Sequence, residues 1–360
     1  MQLDNKRILI IKPSSLGDIV HTLPVVHALK RCFPSCSIGW IVQQGFASLI
    51  KSVPSVDTVY PIHIPATSDP LAGRWAYFKA FKALITTLWE LRCQFKDNSY
   101  DFILDLQGSF RSGLLGRTNP GGMRIGFKDA KELNTLFQQE LVTVPDNVQH
   151  ALQKNLFFCD HLNVKVADED FNMDIRSDFT EIQSFLHQHG IASDSKIIYA
   201  NSATRWQTKF WPIQHWAKLA DRFSAQGVVL IFGGSRQDEA YIKSITQLMD
   251  SQPVIAAGRF TLPQSVTLIQ HSTIYVGVDS GPMHIAALSG IPVVALFGPT
   301  HPSRVGPYGV KHYMARAEGL DCLECRKRTC KHLSCMKEIT VEKVYDAAMS
   351  LIDSKMEKSE

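Results

Sequence analysis

The stretch Asp279-Ser280-Gly281-Pro282-Met283-His284 decides how this chain is read. It follows an apolar, strand-like run, Thr273 to Val278, and opens a helix-like run, His284 to Leu288, that stops at Gly290. A second apolar run, Ile291 to Phe297, comes next. Strand, tight turn, helix and strand in that order make the βαβ unit of a parallel sheet. At such a turn the free N–H groups and positive dipole end of the helix meet the carboxyl edge of the sheet, where nucleotide diphosphates bind. Asp279 and Ser280 bring polar atoms to that edge, Gly281 lets backbone approach a ligand closely, and Pro282 suits the first helical turn. A well-capped turn with no ligand has the same local sequence, so one turn alone does not decide function.

A second turn near the N-terminus tips the balance. Ile8 to Ile11 reads as a buried strand and Lys12-Pro13-Ser14-Ser15-Leu16-Gly17-Asp18 as a polar loop. Ile19 to Lys30 then reads as one helix, with Leu23, Val26 and Leu29 spaced to face one side. Asp18 stands where loop becomes helix. A carboxylate there can cap the helix, the commonest use of Asp at such a position. It can equally act as a general base toward a substrate hydroxyl. Spacing does not separate the two.

The chain has 360 residues, 45% hydrophobic and 20% charged, which is the composition of an ordinary globular protein with about two domains' worth of core. A formal charge of +4 permits an acidic small molecule or an anionic membrane surface as partner, and gives no ground for nucleic acid. No apolar run is long enough for a membrane span, and the apolar run after Lys6-Arg7 is too short for a signal peptide; a cytoplasmic protein is expected. Strand and helix signals alternate twice. The first series has strands at Ile8–Ile11, Ser37–Val42, Thr58–Pro61 and Tyr100–Leu106, the second at Lys196–Ala200, Val228–Phe232, Val254–Ala256, Ile274–Val278 and Val293–Phe297. Trp216, Leu219, Ala220 and Phe223 mark a helix between the first two strands of the second series. Polar, acidic residues from Val164 to Phe179 read as a linker. The expectation is α/β, with two Rossmann-like domains, 1–175 and 176–360, facing each other across a cleft. A C-terminal helix near Val341 to Ile352 is free to pack back on the N-terminal domain. Leu71 to Phe95 forms a long amphipathic segment carrying Arg74, Trp75, Lys79 and Lys82, whose basic residues read by default as a solvated face.

Several strands end in polar loops. Asn201 to Lys209 offers hydroxyls at Ser202, Thr204 and Thr208 and cations at Arg205 and Lys209; Gly233 to Glu239 and Gln107 to Arg111 are similar. Several such loops at one sheet edge favour a ligand cleft. Lys209 by itself reads as a solvated lysine. Among those hydroxyls it reads better as the cation that neutralises a diphosphate leaving group. No Asp-x-Asp pair stands at a strand end to hold a divalent cation, so lysine, hydroxyls and a helix N-terminus are the simpler account, with no cofactor required.

These residues resemble glycosyltransferase family 9, the ADP-heptose:lipopolysaccharide heptosyltransferases. Lys12 to Pro24 is similar to that family's N-terminal motif, Thr208-Lys209-Phe210-Trp211-Pro212 to its central one and Asp279 to Ala287 to its C-terminal one. Gly298 to Pro302 and Gly306 to Gly309 add to the match, and the motifs span nearly the whole chain. The resemblance implies a GT-B fold and transfer of a heptose from ADP-heptose, with inversion, to the Kdo/heptose inner core of a lipid A-linked acceptor. It implies Asp18 as general base and Lys209 as the diphosphate-binding lysine. Asp279 is implied as the contact to the donor heptose, with Ser280, Gly281, Met283 and His284 at the diphosphate and nucleoside. Ser202 and Thr204 fall on the donor side, and Asp238 or Glu239 is implied as the acidic ribose contact. Ser14, Gly17, Arg74 and Arg111 fall on the acceptor side. The implied location is the cytoplasmic face of the inner membrane, held peripherally.

His21-Thr22-Leu23-Pro24 and Ile41 to Ala47 look more like the first-heptose type. Cys322, Cys325, Cys330 and Cys335 form a C-x2-C-x4-C-x4-C cluster that reads as reduced structural thiols, with a structural zinc or iron–sulfur site as the alternative. A family relative with another sugar or acceptor, and a nucleotide-sugar-binding protein without turnover, remain as competing readings. An NAD-dependent oxidoreductase would want G-x-G-x-x-G after the first strand, which Lys12 to Asp18 lacks.

Overall fold

The protein is described by a computed structural model over residues 2–65 and 74–356. It divides into two compact units, Met1–Arg176 and Ser177–Glu360. The first is built on strands β1 (Arg7–Ile11), β2 (Ser37–Gln43), β3 (Thr58–Ile62), β4 (Phe102–Asp105), β5 (Met123–Phe127) and β6 (Glu140–Val142). They run parallel in the order β3-β2-β1-β4-β5-β6. The second unit repeats the plan with β7 (Ile197–Asn201), β8 (Val229–Phe232), β9 (Val254–Ile255), β10 (Ile274–Val278), β11 (Val293–Leu296) and β12 (His312–Ala315), ordered β12-β11-β10-β7-β8-β9. Each sheet is doubly wound. Its order reverses once, between β1 and β4 in the first unit and between β7 and β10 in the second, and that reversal opens the crevice in which such folds bind ligands.

Central strands are apolar on both faces because helices cover both sides of a parallel sheet. Ile8 to Ile11 and Ile274 to Val278 are buried throughout. In the second unit the helix Ile213–Ser224 turns Trp216, Leu219, Ala220 and Phe223 inward, where Trp216 meets Trp211 edge-on at 5.1 Å between centroids. The C-terminal helix, Val341–Met356, buries Val344, Ala348 and Ile352 in this same core, so its inward face is spent within the second unit.

Two readings are corrected. The helix expected over Ile19 to Lys30 is two helices, Leu16–Val20 and Leu23–Cys32. Pro24 has no N–H to continue the earlier turn and instead sits at the start of the second helix. The expected linker, Val164 to Phe179, is not free chain along its first part. Asp170 is buried and takes Arg31 Nε at 2.9 Å and Nη2 at 2.8 Å, which ties this segment to the first unit.

Candidate active site

In the first unit the loops after β1 and β4 lie at the switch point. Ile11 pairs with Asp105, so the residues that follow each strand are neighbours. Lys12, buried, donates from Nζ to the Leu106 carbonyl at 2.7 Å and joins the two loops. Asp18 lies in the first turn of the Leu16–Val20 helix and accepts on Oδ2 from Ser15 N at 3.0 Å and Ser15 Oγ at 2.7 Å. Capping of the helix by Asp18 is therefore present. The carboxylate is only half-buried, as is Ser14, while Gly17 is buried.

Asp105 is the organising residue of this edge, and sequence reasoning passed over it. It is 1% exposed and accepts from Gln107 N and Gly108 N at 3.0 Å, Ser112 Oγ at 2.9 Å, Asn134 Nδ2 at 2.7 Å and Gln138 Nε2 at 3.1 Å. Burial pushes its carboxyl above the usual range, and these donors pull the other way. They fix the turn from which half-buried Arg111 projects. Gln107 Oε1 is buried in that turn with no hydrogen-bond partner among the described residues. Arg74 begins the Arg74–Asp97 helix, but its side chain lies outside the described residues.

In the second unit the switch point gathers the expected donor residues. Lys209 Nζ reaches Asp279 Oδ2 at 2.7 Å and the Asp279 carbonyl at 3.2 Å, and lies 4.8 Å from the centre of the Trp206 ring. Thr300 Oγ1 donates to the same Asp279 oxygen at 2.7 Å. Asn201, at the end of β7, donates from Nδ2 to Ser280 Oγ at 3.0 Å and to the Ala203 carbonyl at 2.8 Å. Ser280 opens the Gly281–Leu288 helix without capping it through its side chain, which leaves the N-terminal turn facing this cluster. Ser202 Oγ is buried with no partner among the described residues, and Thr204 is half-buried beside it in sequence.

The other expected donor residues lie along the Gly281–Leu288 helix and in the turn after β8. Met283 is fully buried and His284 nearly so, in a helix whose residues from Met283 to Leu288 are all buried. Asp238 caps its own turn, accepting from Ser235 N at 2.8 Å and Ser235 Oγ at 2.7 Å. Glu239 is exposed and lies against Gly258, whose positive φ of 71° and lack of a Cβ leave room for it.

The cysteine loop is packed beside the same edge. Glu324 N and Arg326 N donate to the carbonyls of Gly298 and Pro299 after β11. Thr208 Oγ1 donates to the Lys327 carbonyl at 2.9 Å, and the Arg328 guanidinium lies 4.8 Å from the Trp206 ring centre. Cys335 is buried, and desolvation with its neighbours Cys322, Cys325 and Cys330 pushes its thiol up to about 11. Among the described residues no three His, Cys, Asp or Glu side chains are gathered to hold a metal ion.

Two doubly wound units, each with polar side chains collected at its switch point, present the sheet edge at which Rossmann-like folds bind ligands. The profile described as glycosyltransferase family 9 (heptosyltransferase) matches residues 88–336, and the chain belongs to that family. It is a glycosyltransferase. Lipopolysaccharide heptosyltransferase 1 of Pseudomonas aeruginosa is 28% identical over 346 residues, covering 91% of this chain and 88% of that protein. Among solved structures, a family 9 glycosyltransferase from Veillonella parvula superposes with a TM-score of 0.81 at 23% identity, over 98% of this chain and 99% of that one. The Escherichia coli heptosyltransferase WaaC, solved with ADP, superposes with a TM-score of 0.72 at 23% identity, over 96% and 99%. The fold is GT-B.

Proposed function

We propose that this protein transfers a heptose from ADP-heptose to the Kdo/heptose inner core of lipopolysaccharide, with inversion at the anomeric carbon. Family membership and the name of the Pseudomonas relative support the heptosyl transfer, and the ADP in the WaaC structure supports the donor. The observation that carries the chemistry is the Lys209–Asp279 pair at the start of the Gly281–Leu288 helix. Lys209 is the cation that meets the diphosphate, and Asp279, held by Thr300, presents its carboxylate to the donor sugar. With the helix N-terminus and the Ser202 hydroxyl, which has no partner among the described residues, they stabilise the charge that develops as ADP departs. Ser280 and Gly281 approach the diphosphate, and Asp238 or Glu239 takes the ribose.

Asp18 is the base. Its carboxylate takes the proton of the acceptor hydroxyl as that oxygen attacks the anomeric carbon and the bond to ADP breaks. Its hydrogen bonds from Ser15 fix its direction, which a base needs as much as a suitable pKa. Ser14, Gly17, Arg74 and Arg111 hold the acceptor. No cofactor is required, and the four cysteines are reduced structural thiols; anaerobic purification followed by elemental analysis should find no stoichiometric zinc or iron. The first-heptose acceptor, carrying Kdo alone, is the substrate the N-terminal motif favours. It would be met at the cytoplasmic face of the inner membrane, and no helix among the described residues is long and apolar enough to cross that membrane.

Turnover with a chelator present tests the leaving-group account. Activity should persist in EDTA; complete loss restored by magnesium would show that a metal, not Lys209, carries the diphosphate charge.

A further inference from the structure

The helix Arg74–Asp97 of the first unit has two faces that differ in an unexpected way. Inward, Ala80, Thr87, Leu91 and Phe95 are buried, with Leu84 and Leu88 packed beside them. Outward, where a surface helix ordinarily carries polar groups, stand Trp75 (77% exposed), Phe78 (61%), Ile85 (52%) and Trp89 (69%). Together with Lys82 they follow steps of three and four residues and so share one face. Phe81 and Tyr77 are exposed alongside. An apolar stripe of this size, left open, marks an interaction surface.

The charges on the helix indicate the occupant. Lys79, Lys82, Arg92 and Lys96 are exposed along it, against Glu90 and Asp97 as its acids. Lys79, Lys82, His63 and Glu90 also border an open cavity of about 410 Å³ beside the helix. A coiled-coil seam with a second copy would want Leu, Ile or Val at these steps, and lysines set among the rings are depleted from protein–protein interfaces. Aromatic rings with lysines among them are the composition of a helix lying in a membrane interface. Rings settle at the boundary of headgroup and acyl chain, while lysine stems reach up to phosphates.

We propose that the outward face of the Arg74–Asp97 helix seats the first unit on an anionic phospholipid bilayer, with Lys79 and Lys82 among the headgroup phosphates. This rests on the reading above, in which the acceptor is lipid-linked, for its purpose but not for its test. Full-length protein should sediment with vesicles of phosphatidylcholine and phosphatidylglycerol, and much less with phosphatidylcholine alone, and its tryptophan emission should shift to the blue on binding. Trp75→Ser with Trp89→Ser, and separately Lys79→Glu with Lys82→Glu, should each lower the partition coefficient about tenfold or more. The tryptophan pair should keep its melting temperature and its turnover on a delipidated, water-soluble acceptor, and lose turnover on acceptor embedded in vesicles. If turnover on every acceptor fails while vesicle binding follows this pattern, the functional reading falls and the surface stands. The proposal is overturned if the wild type ignores anionic vesicles, or if both variants bind them as well as it does. It is equally overturned if the wild type is a dimer that the tryptophan substitutions make monomeric, since a second copy would then cover this face.

Discussion

Asp18 is asked to do two things at once, to cap a helix and to take a proton, and substitution can separate them. Asp18→Asn keeps an oxygen that accepts from Ser15 but no longer takes a proton. The fold and ADP affinity should survive while kcat falls by ~10²–10⁴; near-normal kcat would leave Asp18 a cap only. Lys209→Ala removes a charge-assisted contact to the diphosphate, and titration calorimetry should show ADP binding weakened by about 10- to 100-fold. Unchanged affinity together with unchanged kcat would remove Lys209 from the site. These residues were legible in the sequence because each is a polar group in a loop that follows an apolar run. Their partners were not. Asn201 meets Ser280 across 79 residues and Thr300 meets Asp279 across 21, and only the sheet order brings such pairs together. Asp105 was hidden by its place at the end of a strand, where an acid gives no signal of the donors that will converge on it.

Among the elements, the turn that Asp105 organises is held by groups from two segments, the one after β4 and the one after β5. Asp105→Ala would leave those donors buried and unpaired, and urea denaturation should show a loss of ~2–5 kcal/mol. A change near zero would mean water replaces the carboxylate. The Leu23–Cys32 helix carries a pH dependence of its own. His27 is buried, with Nδ1 3.0 Å from the Asp170 carbonyl and Nε2 without a partner among the described residues. Desolvation holds it below its ordinary value of 6.5, opposed by that carbonyl and by the charges of Asp174 and Asp170. The unfolded chain therefore takes up a proton first. The stability this imidazole contributes is present above 6.5 and lost as pH falls through that value toward the lower folded one. Melting temperature should fall on acidification over that window, and His27→Gln should flatten the fall; an identical slope in the variant would assign it elsewhere. The long apolar strands and the Ile213–Ser224 helix were readable from periodicity. Strands β5, β6 and β12 were not, since Arg124 and Gly126 interrupt the first, the second has three residues, and β12 is an edge strand with exposed His312 and Tyr313.

For the whole molecule, two successive alternations of strand and helix were enough to read a pair of Rossmann-like units, and the chain divides between Arg176 and Ser177. What the alternation could not show was strand order, which decides which loops meet. That order puts the residues after β1 and β4 together in one unit and those after β7 and β10 together in the other. Donor recognition should accordingly be confined to the second unit. Hydrogen exchange with ADP present should slow amides over Asn201–Lys209 and Asp279–Met283 and leave Ser14–Asp18 unaffected; protection confined to the first unit would reverse the assignment of donor and acceptor sides. Heptosyl transfer to a lipid-linked core is read from the mass of the acceptor. Purified protein given ADP-heptose and a Kdo-bearing lipid A acceptor should add the mass of one heptose, and Asp18→Asn should not do so at a comparable rate. An acceptor left unchanged while another nucleotide sugar is transferred, or ADP-heptose hydrolysed with no glycosylated product, would contradict the account.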